Sequence, residues 1–234
     1  MIATLPPEHP CAACDIRLRT FCGALDAWQL EAFRCMGTVV RMEAREPLFH
    51  EGDPADLVYS VTRGMLKLYK LLPDGRRQVM GFVQAGDFLG LSPAEEHGFT
   101  AEALEPAELC QFPRRRFESF LAEHPNMERA LYRLATHELV AAQAQMVLLG
   151  RMTAAERIAS FLLMLLRRSR SCGVAEAVRL PMSRLDIADY LGLTKETVSR
   201  GFTSFKTCGL IRLLNDNVVC VLDRPRLEKL STRG

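Results

Sequence analysis

Three cysteines lie close together near the start of the chain: Cys11 and Cys14 are separated by two residues, and Cys22 follows after seven more. Thiolates are soft donors, and a Cys-x-x-Cys pair with a third cysteine downstream supplies three of them from one loop. A fourth from elsewhere in the fold completes the ligand set of an iron–sulfur cluster or of a structural zinc ion, and bare thiols of this kind form a redox switch. Two cysteines compete for the fourth place: Cys35, on or just after a short helix, and Cys110, at the end of a strand. Spacing leaves both open. Cys172, Cys208 and Cys220 sit among apolar neighbours and read as small buried hydrophobes. The five histidines, His50 and His97 among them, lack metal-ligand pair spacing, which argues against haem. Met1 to Pro7 has neither the basic nor the apolar stretch of an export signal, so the eight cysteines are expected to be reduced thiols in the cytoplasm.

A second group of residues carries a different chemistry. Ser183 and Asp186 have the spacing of a capping box and start a helix over Arg184–Leu191. Gly192-Leu193 makes a tight turn, Thr194 offers an N-cap oxygen, and a second helix runs from Lys195 to Cys208, where Gly209 stops it. With Ile187, Leu191, Val198, Phe202 and Phe205 facing inward, this helix-turn-helix leaves Lys195, Glu196, Ser199 and Arg200 exposed on the first turns of its second helix. Those side chains match base edges: arginine bonds O6 and N7 of guanine together, glutamate accepts from cytosine N4, and serine meets thymine. Arg184, Thr197 and Lys206 are placed for phosphates, which hold register without reading sequence. A hairpin follows, Leu210–Leu214 and Val218–Leu222 about the turn Asn215-Asp216-Asn217, and reads as a wing. The charge agrees: Arg151–Gly234 carries net +7 and the first 150 residues net −5, within a total of only +2. The basic end points to double-stranded DNA.

The elements that position these groups follow from pattern. Residues 1–24, with Pro6, Pro7 and Pro10, look like an irregular arm held by something other than a core, and Asp26–Arg34 is a short helix. From Met36 to Phe112, short β-type runs at Val58–Val61, Met65–Leu72 and Val79–Val83 alternate with turn signals, the mark of an antiparallel roll or barrel. From Arg115 to Gly150 the pattern is helical, with one interruption at Pro125. In the long helix from Asn126, the residues Leu131, Ala135, Leu139, Ala142, Met146 and Leu149 recur at near-heptad steps, a stripe suited to a partner helix. A two-fold homodimer joined this way matches a palindromic DNA site. Gly150 is expected to loosen this helix before Thr153–Glu156 opens the next, in which Phe161–Leu166 reads as buried. The organisation expected is therefore α+β: an arm over 1–24, a roll over 25–125, a dimerisation helix over 126–150 and a DNA-binding domain over 151–234. No run is long enough to span a membrane.

Glu51-Gly52-Asp53, Gly64 and Gly86-Asp87-Phe88-Leu89-Gly90 in the roll, with Leu193-Thr194-Lys195-Glu196-Thr197-Val198-Ser199-Arg200 in the helix-turn-helix, resemble the family of the cAMP receptor protein and the fumarate and nitrate reduction regulator, CRP/FNR. The resemblance covers nearly the whole chain. It implies a cupin-like roll of the cyclic-nucleotide-binding type, a long dimerisation helix and a C-terminal winged helix-turn-helix, in a transcription activator that also contacts RNA polymerase, for which exposed loops such as Pro73–Arg77 are candidates. Glu196, Ser199 and Arg200 are similar to the fumarate and nitrate type, which implies half-sites related to TTGAT; Lys195 leaves the first positions open. The arm resembles that of the oxygen-sensing branch, with Cys110 fourth by family position, which implies one [4Fe-4S] cluster per subunit and DNA binding at low oxygen. The alternative is a regulator of the same fold that senses nitric oxide, carbon monoxide or thiol redox state, with zinc or free cysteines in the arm. The chain departs from the cyclic AMP sensors: Gly90 is followed by Leu91-Ser92-Pro93, and His97–Thr100 has no arginine for a cyclic phosphate. Nor does it read as an enzyme, because Cys11 and Cys14 are not set in a βαβ pattern and no Ser, His and Asp constellation or phosphate-binding glycine loop is present.

Overall fold

The computed structural model describes residues 11, 14, 16–91, 94–168, 176–215 and 217–231, with Arg19 by its backbone alone. Pro6, Pro7, Pro10, Ser92-Pro93, Cys172 and Asp216 of the sequence reading lie outside these. The chain forms two compact units, one of the residues up to Leu71 with Met80–Leu139, the other of Leu72–Val79 with Val140 onward.

The first unit opens with two 3-10 turns, Arg17–Arg19 and Phe21–Ala24, and helix α1, Ala27–Cys35. Asp26 caps α1 reciprocally, its carboxylate accepting from the Gln29 N–H at 2.8 Å while the Gln29 side chain accepts from the Asp26 N–H. Eight strands follow: β1 (Thr38–Met42), β2 (Pro47–Phe49), β3 (Leu57–Arg63), β4 (Met65–Leu71), β5 (Arg77–Gln84), β6 (Phe88–Leu89), β7 (Thr100–Ala103) and β8 (Ala107–Pro113). They pair in two antiparallel sheets, ordered β1-β8-β3-β6 and β2-β7-β4-β5, which is the expected roll. Its interior is apolar, with Val61, Leu66, Ala101, Ala103 and Leu109 fully buried. Helix α2 (Arg114–Glu123) and the start of α3 (Pro125–Arg151) complete the unit.

A second core lies where the arm, the roll and these helices meet. Phe21, Phe33, Val58, Phe112, Phe117, Phe120, Met127 and Leu131 form one buried cluster. The Phe21 ring stands edge-on to Phe33, Phe88 and Phe117 at centroid separations of 5.7, 5.0 and 5.8 Å. Edge-to-face contact is the favourable geometry for aromatic quadrupoles. The arm is therefore seated in a core that it shares with the roll and the helices, contrary to the expectation from its composition: Ile16 and Phe21 are buried.

The second unit continues α3 and adds α4 (Ala154–Arg168), β9 (Ala177–Arg179), α5 (Arg184–Leu191), α6 (Lys195–Thr207), β10 (Ile211–Asn215), β11 (Val218–Val221) and α7 (Arg224–Ser231). Helix α3 runs through Gly150, which does not loosen it, because a lone glycine costs a helix only ~1 kcal/mol. The wing carries a third strand, in the order β10-β11-β9. Two glycines shape the helix-turn-helix. Gly192 ends α5 in the left-handed conformation (φ 61°), and Gly201 lets α6 approach α4, since a Cβ there would collide with the Ile158 side chain. The hairpin tip Leu72–Val79 belongs to this unit. Arg77 bonds Asp186 at 2.7 Å and Asp189 at 2.8 Å, and the Gln78 amide donates to the Asp189 carbonyl at 2.7 Å. Arg77 is thus committed to α5 and withdrawn from the exposed loop expected at Pro73–Arg77.

Candidate functional site: a thiol cavity and a nucleic-acid interface

Cys11, Cys14, Cys22 and Cys110 line one cavity of about 40 Å³. The backbone of the arm turns to present the first three. The Arg17 N–H donates to the Cys14 carbonyl at 3.2 Å, and the Thr20 hydroxyl accepts from the Cys22 N–H at 3.2 Å while donating to the Arg17 carbonyl at 3.0 Å. The fourth comes from the middle of a sheet, where Cys110 of β8 is paired with Val39 of β1 on one side and Ser60 of β3 on the other. Helix α1 closes the cavity with Leu30, Phe33 and Arg34, which share a face at the i, i+3, i+4 spacing. Cys35 takes no part in it: that thiol is exposed and bonds Glu31 at 3.6 Å.

Cys22 feels the charge of the other three cysteines, Cys110 that of Cys11 and Cys14, and Cys11 that of Cys14. Burial dominates their chemistry. It pushes Cys22 up to about 12 and Cys110 up to about 11, and it raises Cys11, with Cys14 adding to the rise and Arg34 and Arg17 opposing it. Burial of this kind holds the Cys22 and Cys110 thiols protonated near neutral pH. A metal group would displace those protons on binding. Among the described residues no three His, Cys, Asp or Glu side chains are grouped closely enough to share one ion as they stand. Sequence reasoning missed Arg17, Thr20 and Arg34, and only the i, i+3, i+4 relation to Leu30 and Phe33 hinted at the last.

The other cysteines and histidines fall elsewhere. Cys220 is buried as expected, but Cys208 is exposed: it caps the C-terminus of α6, where the chain turns away from the core. His97 is buried and stacked on Phe49 at 3.5 Å, His124 is stacked on Phe120, and His50 is exposed.

The DNA-reading element forms as its local signals predict. Ser183 and Asp186 close the capping box of α5, and Thr194 accepts from the Thr197 N–H at 3.2 Å to start α6. Ile187, Leu191, Val198, Phe202 and Phe205 are buried, and Lys195, Glu196, Ser199 and Arg200 are exposed on the first two turns of α6. Of the residues assigned to phosphates, Lys206 is exposed and the Thr197 hydroxyl is shared with Thr194 at 3.0 Å. The Arg184 guanidinium lies over the Phe202 ring, its carbon 3.6 Å from the centroid.

On α3 the apolar stripe read in the sequence is exposed or half-buried from Ala135 onward and differs only at its first member. Leu131 packs into the aromatic core, whereas Tyr132 is 73% exposed. The set Tyr132, Ala135, Leu139, Ala142 and Met146 is exposed throughout, and with half-buried Leu149 it keeps strict steps of three and four. One helical residue is a rotation of about 100°, enough to move a side chain from core to surface.

An antiparallel roll, a long helix and a winged helix-turn-helix with its reading residues exposed define a DNA-binding transcription regulator. The model of the cyclic nucleotide-binding domain matches residues 39–124, and that of the Crp-like helix-turn-helix domain matches residues 156–230. The chain is 44% identical over 227 residues to the nitrogen fixation regulation protein FixK of Bradyrhizobium diazoefficiens, covering 97% of this chain and 95% of that protein. It is also 44% identical over 219 residues to the transcriptional activatory protein AadR of Rhodopseudomonas palustris, with 93% and 91% covered. The structure of FixK2 from Bradyrhizobium japonicum superposes with a TM-score of 0.79 at 37% identity, over 85% of this chain and 98% of that one. The chain belongs to the CRP/FNR family of transcription regulators, and the relatives it matches are regulators, not enzymes. Among the described residues no helix is long and apolar enough to cross a membrane.

Proposed function

We propose that the chain is a homodimeric transcriptional activator that holds one [4Fe-4S] cluster per subunit through Cys11, Cys14, Cys22 and Cys110 and binds TTGAT-type palindromes at low oxygen. The observation that carries this reading is the gathering of four thiols around one cavity, whose lining among the described residues includes no carboxylate or imidazole. The donor set fits. All four ligands are soft, and burial covers Cys22 and Cys110 most.

When bound, the cluster supplies oxygen-labile chemistry at this cavity. The chain's own residues supply the rest. Phe21 seats the arm, and Cys22 and Cys110 pack against the same aromatic cluster that holds Met127 and Leu131 at the start of α3. Any change in how the arm is seated is therefore felt at the root of the helix that carries the Tyr132–Leu149 stripe. A second copy of that stripe is its natural partner, since a self-complementary heptad face pairs about a two-fold axis. Lys195, Glu196, Ser199 and Arg200 then read one half-site from each protomer. Cyclic AMP is not proposed as an effector, because the stretch from Gly90 to Thr100 offers Glu95 and Glu96 and no cation. The exposed hairpin tip Pro73–Arg76 remains a surface for RNA polymerase.

The test is iron and acid-labile sulfide content with a visible spectrum, on protein purified without oxygen and again after air. Stoichiometric iron and sulfide, with absorbance that bleaches in air, is the expected result, and Cys14→Ser or Cys110→Ser should abolish it and weaken anaerobic binding to a TTGAT palindrome. Zinc or no metal in the wild type, or full binding by both variants, refutes the oxygen mechanism and leaves the DNA-binding assignment intact.

A further inference from the structure

Among the described residues the wall of the thiol cavity carries two cations and no carboxylate: Arg17 from the arm and Arg34 from α1 line it with the four cysteines. A [4Fe-4S] centre bearing four thiolates is an anion, and an anion enclosed by Leu30, Phe33 and Phe112 needs a compensating charge. Arg34 is the better placed of the two arginines. It is half-buried on the inward face of a capped helix, and its Nη1 donates to the Gly37 carbonyl at 3.3 Å, which holds the guanidinium where α1 meets β1. Its charge reaches both the arm and the sheet, acting on Cys11 and on Cys110, whereas that of Arg17 acts on Cys11. Glu31 faces Cys11 and Glu108 faces Cys110 with the opposite sign, and neither lines the cavity.

Resting on the reading above, we propose that Arg34 is the counter-charge of this cavity, a positioning residue that sets the reduction potential of the bound cluster and the rate at which it is lost in air. A positive charge stabilises the more anionic, reduced state and opposes removal of an electron by oxygen. Substituting glutamine removes the charge and keeps a donor for the Gly37 carbonyl. Substituting lysine keeps the charge and loses the planar fork.

The experiment uses the full chain, reconstituted without oxygen, as wild type, Arg34→Gln and Arg34→Lys, with iron and sulfide per chain measured first. The readouts are the cluster's reduction potential by electrochemical titration and the bleaching rate in air-saturated buffer. The expected result is a lower potential and bleaching about three- to tenfold faster for Arg34→Gln, the scale of one charge acting through a half-buried wall, with Arg34→Lys close to wild type. Failure of Arg34→Gln alone to retain iron, with Arg34→Lys loading normally, supports the same conclusion. If wild type and Arg34→Gln share one potential and one bleaching rate, or if Arg34→Lys behaves as Arg34→Gln, the counter-charge role is refuted while the cluster stands. A wild type that takes up no iron or sulfide refutes the reading of the cavity, and this inference falls with it.

Discussion

Truncating Phe21 to alanine should release the arm while leaving the roll folded. The side chain is 1% exposed and touches three other rings, so its loss combines a transfer cost with an unfilled cavity, together about 3–5 kcal/mol. At 1.4 kcal/mol per tenfold, the ratio of seated to released arm drops by roughly 10² to 4 × 10³. Cys22 follows Phe21 directly, and in the metal-free wild type burial keeps its thiol protonated. Maleimide labelling of Cys22 and amide exchange over Arg17–Leu25 therefore report the same event. In metal-free Phe21→Ala both should accelerate by about the factor just given, with thermal unfolding of the roll still cooperative. Phe21→Leu, closer in volume, should accelerate them tenfold or less. Labelling and exchange unchanged in a folded Phe21→Ala protein would show that the arm is held by something other than the aromatic cluster, and the proposed link from the cysteines to α3 would fail.

Leu139→Glu should leave monomer stability unchanged but abolish dimers in sedimentation and cost DNA affinity about a hundredfold or more, whereas Leu131→Ala should lower stability by about 2–5 kcal/mol because that residue sits in the core. Arg200→Ala should cost about 1–3 kcal/mol and relax selection at one guanine, while Lys206→Ala should weaken binding equally across sequences and reduce the salt slope by about one, both measured by titration of DNA variants. Burial holds His97 below its usual range, with Asp53 opposing and Arg114 reinforcing the shift. Above the unfolded value near 6.5 both states are neutral; below it only the unfolded chain takes up the proton, so unfolding free energy should fall with pH down to the depressed folded value. His97→Phe should flatten that limb of a urea-unfolding pH series. Cys35→Ser should leave iron content at the wild-type level, since the thiol lies outside the cavity.

The helix-turn-helix was legible because its signals are local: a capping pair three residues apart, a glycine in the left-handed turn, and an apolar face with one period. Three cysteines were legible for the same reason. Cys110 depended on strand register across β1, β8 and β3, which the sequence does not print, so family position had to choose it over Cys35. The aromatic core was invisible because Phe21, Phe33, Phe88, Phe112 and Phe117 come from the arm, α1, β6, β8 and α2, and no window of sequence holds them together. Tyr132 was passed over for Leu131 because a leucine is the more conventional stripe residue, although the core had already claimed it. Cys208 was misread from its neighbours in sequence, whereas exposure at a helix end depends on where the chain turns.

The unit that contains the DNA-reading helix is not a contiguous stretch of chain. Asp186 closes the capping box of α5 and also receives Arg77, which was synthesised more than a hundred residues earlier. A fragment beginning at Val140 therefore leaves out the cation that faces an 8% exposed carboxylate, and grafting this domain onto another sensor would oblige the engineer to bring Leu72–Val79 with it. What looks portable on a linear map is, in its wiring, already attached to a hairpin on the far side of the sequence.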